Sequence, residues 1–109
     1  MQQVKHGMGV HTSFHDVTVS CSLEELKAVL GEPTYHTEDT TEKVQWDWNL
    51  ITEDGRVFTI YDWKEYRHIS DTEIIEWHIG ARDFASSMEG KREIEEAIKQ
   101  LTQFTLQIK

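Results

Sequence analysis

The residues best suited to chemistry lie in the middle of the chain: Tyr61, Trp63, Lys64, Arg67, His78 and Arg82. Aromatic rings stack on planar ligands, and ammonium and guanidinium groups pair with phosphate oxygens. Cations set beside aromatics, with His68 close by, therefore have the chemistry of a nucleotide pocket. The plainer reading is of ordinary solubilising charges around an apolar sheet. Antiparallel geometry sets a condition on the pocket, because Lys64 and Arg82 follow neighbouring strands at opposite ends, ~25 Å apart at ~3.3 Å per residue. Only a multimer brings both to one ligand.

Covalent catalysis needs a nucleophile with an adjacent base and an orienting group. Cys21 stands next to a helix start, where a thiolate gains stabilisation, but a buried spectator thiol is the simpler reading. The chain has no glycine-rich phosphate loop, no zinc-protease helix motif and no nucleophile elbow. Acid catalysis by Asp62 and Glu76 has only their presence in its favour. The expectation is a protein that is not an enzyme, with no catalytic residues and no cofactor. His11 and His15 have the i,i+4 spacing that binds zinc on a helix, but their segment reads as a strand, where they stand too far apart for one ion. No metal site is expected, and His6 and His36 read as exposed loop residues.

The elements that must position these residues follow from periodicity. Residues 1–12 lack a period and carry two glycines, which predicts a loosely ordered N-terminal arm leading into an edge strand over Phe14 to Val19. Ser22 and Glu25 fit a capping box, Leu23, Leu26, Val29 and Leu30 share one face, and Gly31 and Pro33 end the helix. Val44, Trp46, Trp48 and Leu50 alternate with polar residues as a half-buried strand does. Asp54 and Gly55 suit a two-residue type I′ turn into a strand from Arg56 to Trp63. That register sets Trp48 opposite Tyr61, Trp46 opposite Trp63 and Asp47 opposite Asp62. The last pair destabilises the hairpin unless it is solvated or a cation lies between the carboxylates. A strand from Thr72 to Ile79 and a helix from Ser87 to Phe104, carrying Ile94, Ile98 and Leu101 on one face, complete the pattern. The fold class is α+β: a small, mostly antiparallel sheet in the order β-α-β-β-β-α, with helices packed on one face.

At 109 residues with no repeat or linker, the chain reads as a single domain spanning 1–109. Twenty acidic against eleven basic residues give a formal net charge of −9, which argues against direct nucleic-acid binding and attracts a basic partner. No apolar run approaches the ~20 residues that cross a bilayer. One cysteine and no leader pattern lead to the expectation of a cytoplasmic protein. Four Trp, three Tyr and four Phe are more aromatic surface than two helices cover, which predicts a homo-oligomer.

The run WNLI (residues 48–51), the run DGRVFTIYDWK (residues 54–64) and the run EWHIG (residues 76–80) together resemble a pattern of small proteins of tailed bacteriophages. The helix end LGEP (residues 30–33) is similar to theirs too. Those proteins often carry a second Gly where this chain has Ala81. No established activity comes with that family, so the resemblance implies a phage origin. Small acidic phage proteins act by occupying a host protein or by trapping a nucleotide messenger of a bacterial defence system. The resulting expectation is a counter-defence factor in the host bacterial cytoplasm that sequesters a phosphate-bearing ligand through Tyr61, Trp63, Lys64, Arg67, His78 and Arg82. An acidic decoy that mimics nucleic acid and blocks a basic host defence protein is the alternative, and a virion or assembly accessory is a further one.

Overall fold

In a computed structural model that describes residues 1–5 and 11–107, the chain forms β1 (Gln2–Gln3), β2 (Ser13–Ser22), α1 (Leu23–Leu30), β3 (Tyr35–His36), β4 (Trp46–Ile51), β5 (Val57–Tyr61), β6 (Ile74–Ala81) and α2 (Phe84–Gln107). The strands make one antiparallel sheet in the order β1-β4-β5-β6-β2, with β3 also on β4. Among the described residues, no helix is long and apolar enough to cross a membrane.

Period-2 alternation sorts the sheet into two faces. Trp48, Leu50, Phe58, Ile60, Trp77 and Ile79 point to one side, where they are fully buried with Leu23 and Leu26 of α1 and Ile94 of α2. α1 starts as the spacing requires. Ser22 Oγ accepts from the Glu25 N–H at 3.1 Å, and the Ser22 N–H donates to Glu25 Oε1 at 3.0 Å. Gly31, at φ 82°, ends it by donating to the Lys27 carbonyl at 2.9 Å.

Two short strands have no sequence signal. Of the N-terminal arm, Gln2 and Gln3 pair with Ile51 and Leu50, while residues 6–10, His6 among them, lie outside the described residues. Tyr35 and His36 pair with Asp47 and Trp46 on the same edge of β4. Between these pairs, the Asn49 carbonyl accepts from the Val4 N–H at 3.0 Å and its N–H donates to Thr34 Oγ1 at 2.9 Å. His36 is thus no free loop residue: it stacks on Trp46 at 3.5 Å, with its ring nitrogens 2.9 Å from the Gln45 carbonyl and 2.7 Å from Glu38 Oε1.

The β4–β5 hairpin departs from the expected register by one residue. Its loop has three residues, Glu53 to Gly55, closed by Thr52 N–H to the Arg56 carbonyl at 2.9 Å. Gly55 alone has positive φ, 88°, so the two left-handed residues of a type I′ turn are absent. Side chains fix this longer loop: the Thr52 hydroxyl donates to Asp54 and accepts from the Arg56 N–H at 2.9 Å, and Arg56 Nε donates to Asp54 at 3.0 Å. Trp48 consequently faces Ile60, and Asp47 faces Tyr61. The expected aromatic ladder and the Asp47–Asp62 juxtaposition do not form. A one-residue slip exchanges the two faces of a strand, which delivers Phe58 and Ile60 to the core and Tyr61 to the helix-free side.

α2 approaches the sheet through Gly90, where a Cβ would lie 2.7 Å and 2.8 Å from ring carbons of the buried Phe58. Ala is the better helix former by about 1 kcal/mol, but overpacking of a rigid core costs about 1–3 kcal/mol. Gly90→Ala is therefore expected to lower stability despite the gain in helix propensity. A urea midpoint at or above wild type would show that α2 does not sit this close.

Candidate functional site

The helix-free face of the sheet gathers three rings around His78. β5 pairs with β6 so that Tyr61 lies opposite His78, and β2 carries Phe14 across from Gly80 at the far edge. Phe14 stacks on His78 with centroids 4.0 Å apart and planes 13° apart, and Trp63 stacks at 6.1 Å and 27°. Tyr61 tilts against His78 at 5.6 Å and meets Trp63 edge-on at 6.2 Å and 79°. Phe14 and Trp63 remain 39% and 40% exposed, so each offers ring surface to solvent. The Lys64 ammonium stands 5.5 Å from the Trp63 ring centroid.

Burial depresses the pKa of the His78 imidazole below its ordinary 6.5, opposed by the carboxylates of Glu76 and Asp16. His78 is therefore neutral at pH 7 and offers one donor and one acceptor. Burial, and secondarily Asp47, raises the phenol of Tyr61, which keeps its hydroxyl protonated. Asp16 sits at φ 62° where β2 shifts register against β6 between Phe14 and Thr18. This bulge aims Phe14 at His78.

Asp62 holds the site in place. Its side chain is fully buried, and Oδ1 accepts from two successive backbone N–H groups, Gln45 at 2.9 Å and Trp46 at 2.8 Å. Two neighbouring bonds tie the same segments together, Lys64 N–H to the Lys43 carbonyl at 2.8 Å and Gln45 Nε2 to the Arg67 carbonyl at 3.0 Å. Lys64 and Tyr66 take left-handed backbone, φ 56° and 52°, unusual for side-chain-bearing residues. The segment that presents Trp63 and Lys64 is thus clamped by a carboxyl whose second oxygen is buried without a hydrogen-bond partner among the described residues. Burial raises its pKa above the usual carboxylate value, against the pull of the N–H bonds.

Of the expected ligand-binding set, Tyr61, Trp63, Lys64 and His78 come together. Arg67 is committed elsewhere, donating to both oxygens of Glu73 at 2.8 Å and 2.6 Å and to Glu65 at 3.3 Å. Arg82 lies exposed past the other end of β6, since Ala81 pairs with Phe58 while His78 pairs with Tyr61. It is ~20 Å from Lys64 at the strand rise. Cys21 is buried, and its thiol is pushed up to about 12 by burial and by the Glu25 and Glu95 carboxylates, which leaves no thiolate for catalysis. Among the described residues, no group of three or more His, Cys, Asp or Glu side chains is placed to hold a metal ion. His15 Nε2 lies 3.1 Å from the Ala81 carbonyl.

Sequence reasoning missed Phe14, because nothing local announces that β2 pairs with β6 across fifty-odd residues. It also missed the structural role of Asp62, which depended on the hairpin register. In comparisons with protein-family models, curated proteins and solved structures, the chain matches none.

Asp62→Ala orphans two backbone N–H groups and is expected to cost roughly 2–4 kcal/mol. Asp62→Asn keeps an acceptor and does not titrate. The folded-state pKa of Asp62 is raised, so its contribution is complete below the unfolded value near 3.8 and is lost as pH rises through the folded value. Wild-type stability relative to Asp62→Asn should therefore fall as pH climbs above 3.8 and then level off. Urea unfolding of both proteins across that range tests the sign, and a rising difference would refute it.

Proposed function

We propose that this chain is a small non-enzymatic binding protein that sequesters a phosphate-bearing nucleotide ligand in the host cytoplasm, the counter-defence role that the phage resemblance implies. The observation that carries this reading is the cluster of Phe14, Tyr61, Trp63 and His78 on a sheet face without helices, with Lys64 at its rim. A partly exposed indole beside an ammonium group takes a base by stacking and a phosphate by charge, and base–aromatic stacking contributes about 1–3 kcal/mol per base. His78, neutral and held at the centre, supplies hydrogen bonds without repelling or attracting charge. Arg67 is occupied by two carboxylates, so a second phosphate in this reading falls to Arg82 of another subunit.

A basic protein partner is the second reading, supported by the electrostatics of the same surface. Asp16 and Glu76 act on His78 and Asp47 acts on Tyr61, so among the described residues these carboxylates outnumber Lys64 around the rings. An aromatic surface with an acidic rim receives arginine or lysine side chains by cation–π contact.

Thermal unfolding against linear, cyclic and ADP-ribose-type nucleotides separates the two. A ligand at ~100 times Kd adds ~2.7 kcal/mol, a shift of several degrees for a domain of this size. The expected result is a shift with one ligand class that Trp63→Ala and Lys64→Ala both abolish. No shift with any nucleotide, together with a salt-sensitive complex with a basic protein, would replace the first reading with the second.

A further inference from the structure

The outer edge of β2 has an architecture that the ligand face does not use. β2 ends the sheet, and among the described residues it pairs with β6 alone. The direction of its backbone groups follows from the helix cap. The Ser22 N–H donates to Glu25 Oε1 at 3.0 Å, so it does not point at its β6 partner, Ile74. Residues opposite each other in an antiparallel ladder alternate between hydrogen-bonded and non-hydrogen-bonded pairs. Ser22, Ser20 and Thr18 are therefore the non-bonded positions against Ile74, Glu76 and His78. The N–H and C=O groups of Thr18 and Ser20 point outward.

Apart from the bulge at Asp16 that precedes it, this stretch lacks the usual protection of a sheet edge. Natural edges are blunted by lysine, proline, inward charge or bulges, whereas residues 17–22 read VTVSCS, with neither charge nor proline in a chain of net charge −9. It is bounded on both sides: the left-handed Asp16 breaks the ladder before it, and the capping box consumes the Ser22 N–H after it. A partner strand can occupy this window and extend no further.

We infer that the outer edge of β2 is the pairing edge for a second copy of this chain, joined antiparallel about a two-fold axis at Val19. In that register Thr18 of each copy lies opposite Ser20 of the other, and each such pair exchanges both of its N–H···O=C bonds. The window is self-complementary, since the outward residues on either side of Val19 are both small hydroxyl residues whose side chains also pair across strands. No residue inside the window is charged, so two acidic molecules pair there with carboxylates meeting only at its ends, where Asp16 of each copy faces Ser22 and its Glu25 cap on the other. The joined sheet leaves the Trp63 and His78 face open, so the pairing stands or falls independently of the ligand reading.

Register-specific crosslinking is the test, with sedimentation velocity on the unmodified full-length chain beside it. Thr18→Cys and Ser20→Cys proteins are prepared separately, mixed and mildly oxidised. Directly opposed hydrogen-bonded residues have Cα atoms about 5.5 Å apart, within disulfide reach, whereas identical residues sit on a diagonal of about 7–8 Å. The expected result is a multimer built on dimers, with the mixed pair linking at least several-fold faster than either variant alone. Ser20→Pro, which removes an outward N–H and spares the ladder to β6, should dissociate it while the rings around His78 remain in place by near-ultraviolet circular dichroism. A monomer at every concentration, or a multimer whose mixed pair links no faster than the single variants, overturns the inference.

Discussion

The buried pair of Trp48 and Trp77 fixes the layout on which everything else rests. The two indoles meet edge to face, 5.9 Å apart at 77°, with no solvent exposure. A buried indole N–H needs an acceptor, and these find theirs at opposite ends of α1: Trp77 Nε1 donates to the Cys21 carbonyl just before the helix at 3.0 Å, and Trp48 Nε1 to the Gly31 carbonyl just after it at 3.1 Å. Two central strands are thereby bound to both termini of one short helix. With α1 pinned and α2 packed beside it, one side of the sheet is filled, and the residues of opposite parity face away from both helices.

What could be read in advance depended on how local the determining interactions are. α1 was legible because its cap, its apolar stripe and its terminating glycine lie within a dozen residues. β4 was legible because Trp46, Trp48 and Leu50 alternate strictly. The hairpin register was not, since Asp54 and Gly55 look like a two-residue turn until Thr52, Asp54 and Arg56 are seen to hydrogen-bond around a longer loop. That single residue moved Tyr61 from opposite Trp48 to opposite Asp47, and Asp62 from a position opposite Asp47 to a buried clamp. Phe14 was out of reach for a different reason, because strand pairing between distant segments leaves no trace in either one. Arg67 reads as a free cation in the sequence and is a bridged one in three dimensions, as Glu73 and Glu65 reach it across a loop.

The site combines features that pull in different directions. Its rings are arranged for planar contact, while the charged groups acting on them are mostly carboxylates, with Lys64 at the rim. Under the proposed reading, stacking and shape rather than attraction between opposite charges would dominate selection at this surface. A ligand with several phosphates would need more positive charge than one chain gathers here, so the proposed recognition of such a ligand would require assembly.

The tryptophans also divide the molecule optically. Trp46, Trp48 and Trp77 form a run of ring contacts from the β4 edge into the core, with centroid steps of 6.2 Å and 5.9 Å, close enough for their excited states to couple. Trp63 stands apart from that run, open to water and against the His78 ring. As the most exposed of the four indoles it should emit at the longest wavelength and be the most open to external quenchers, while the buried Trp48 and Trp77 report whether the interior is intact. One unlabelled sample therefore carries separate signals for occupancy of the sheet face and for integrity of the fold.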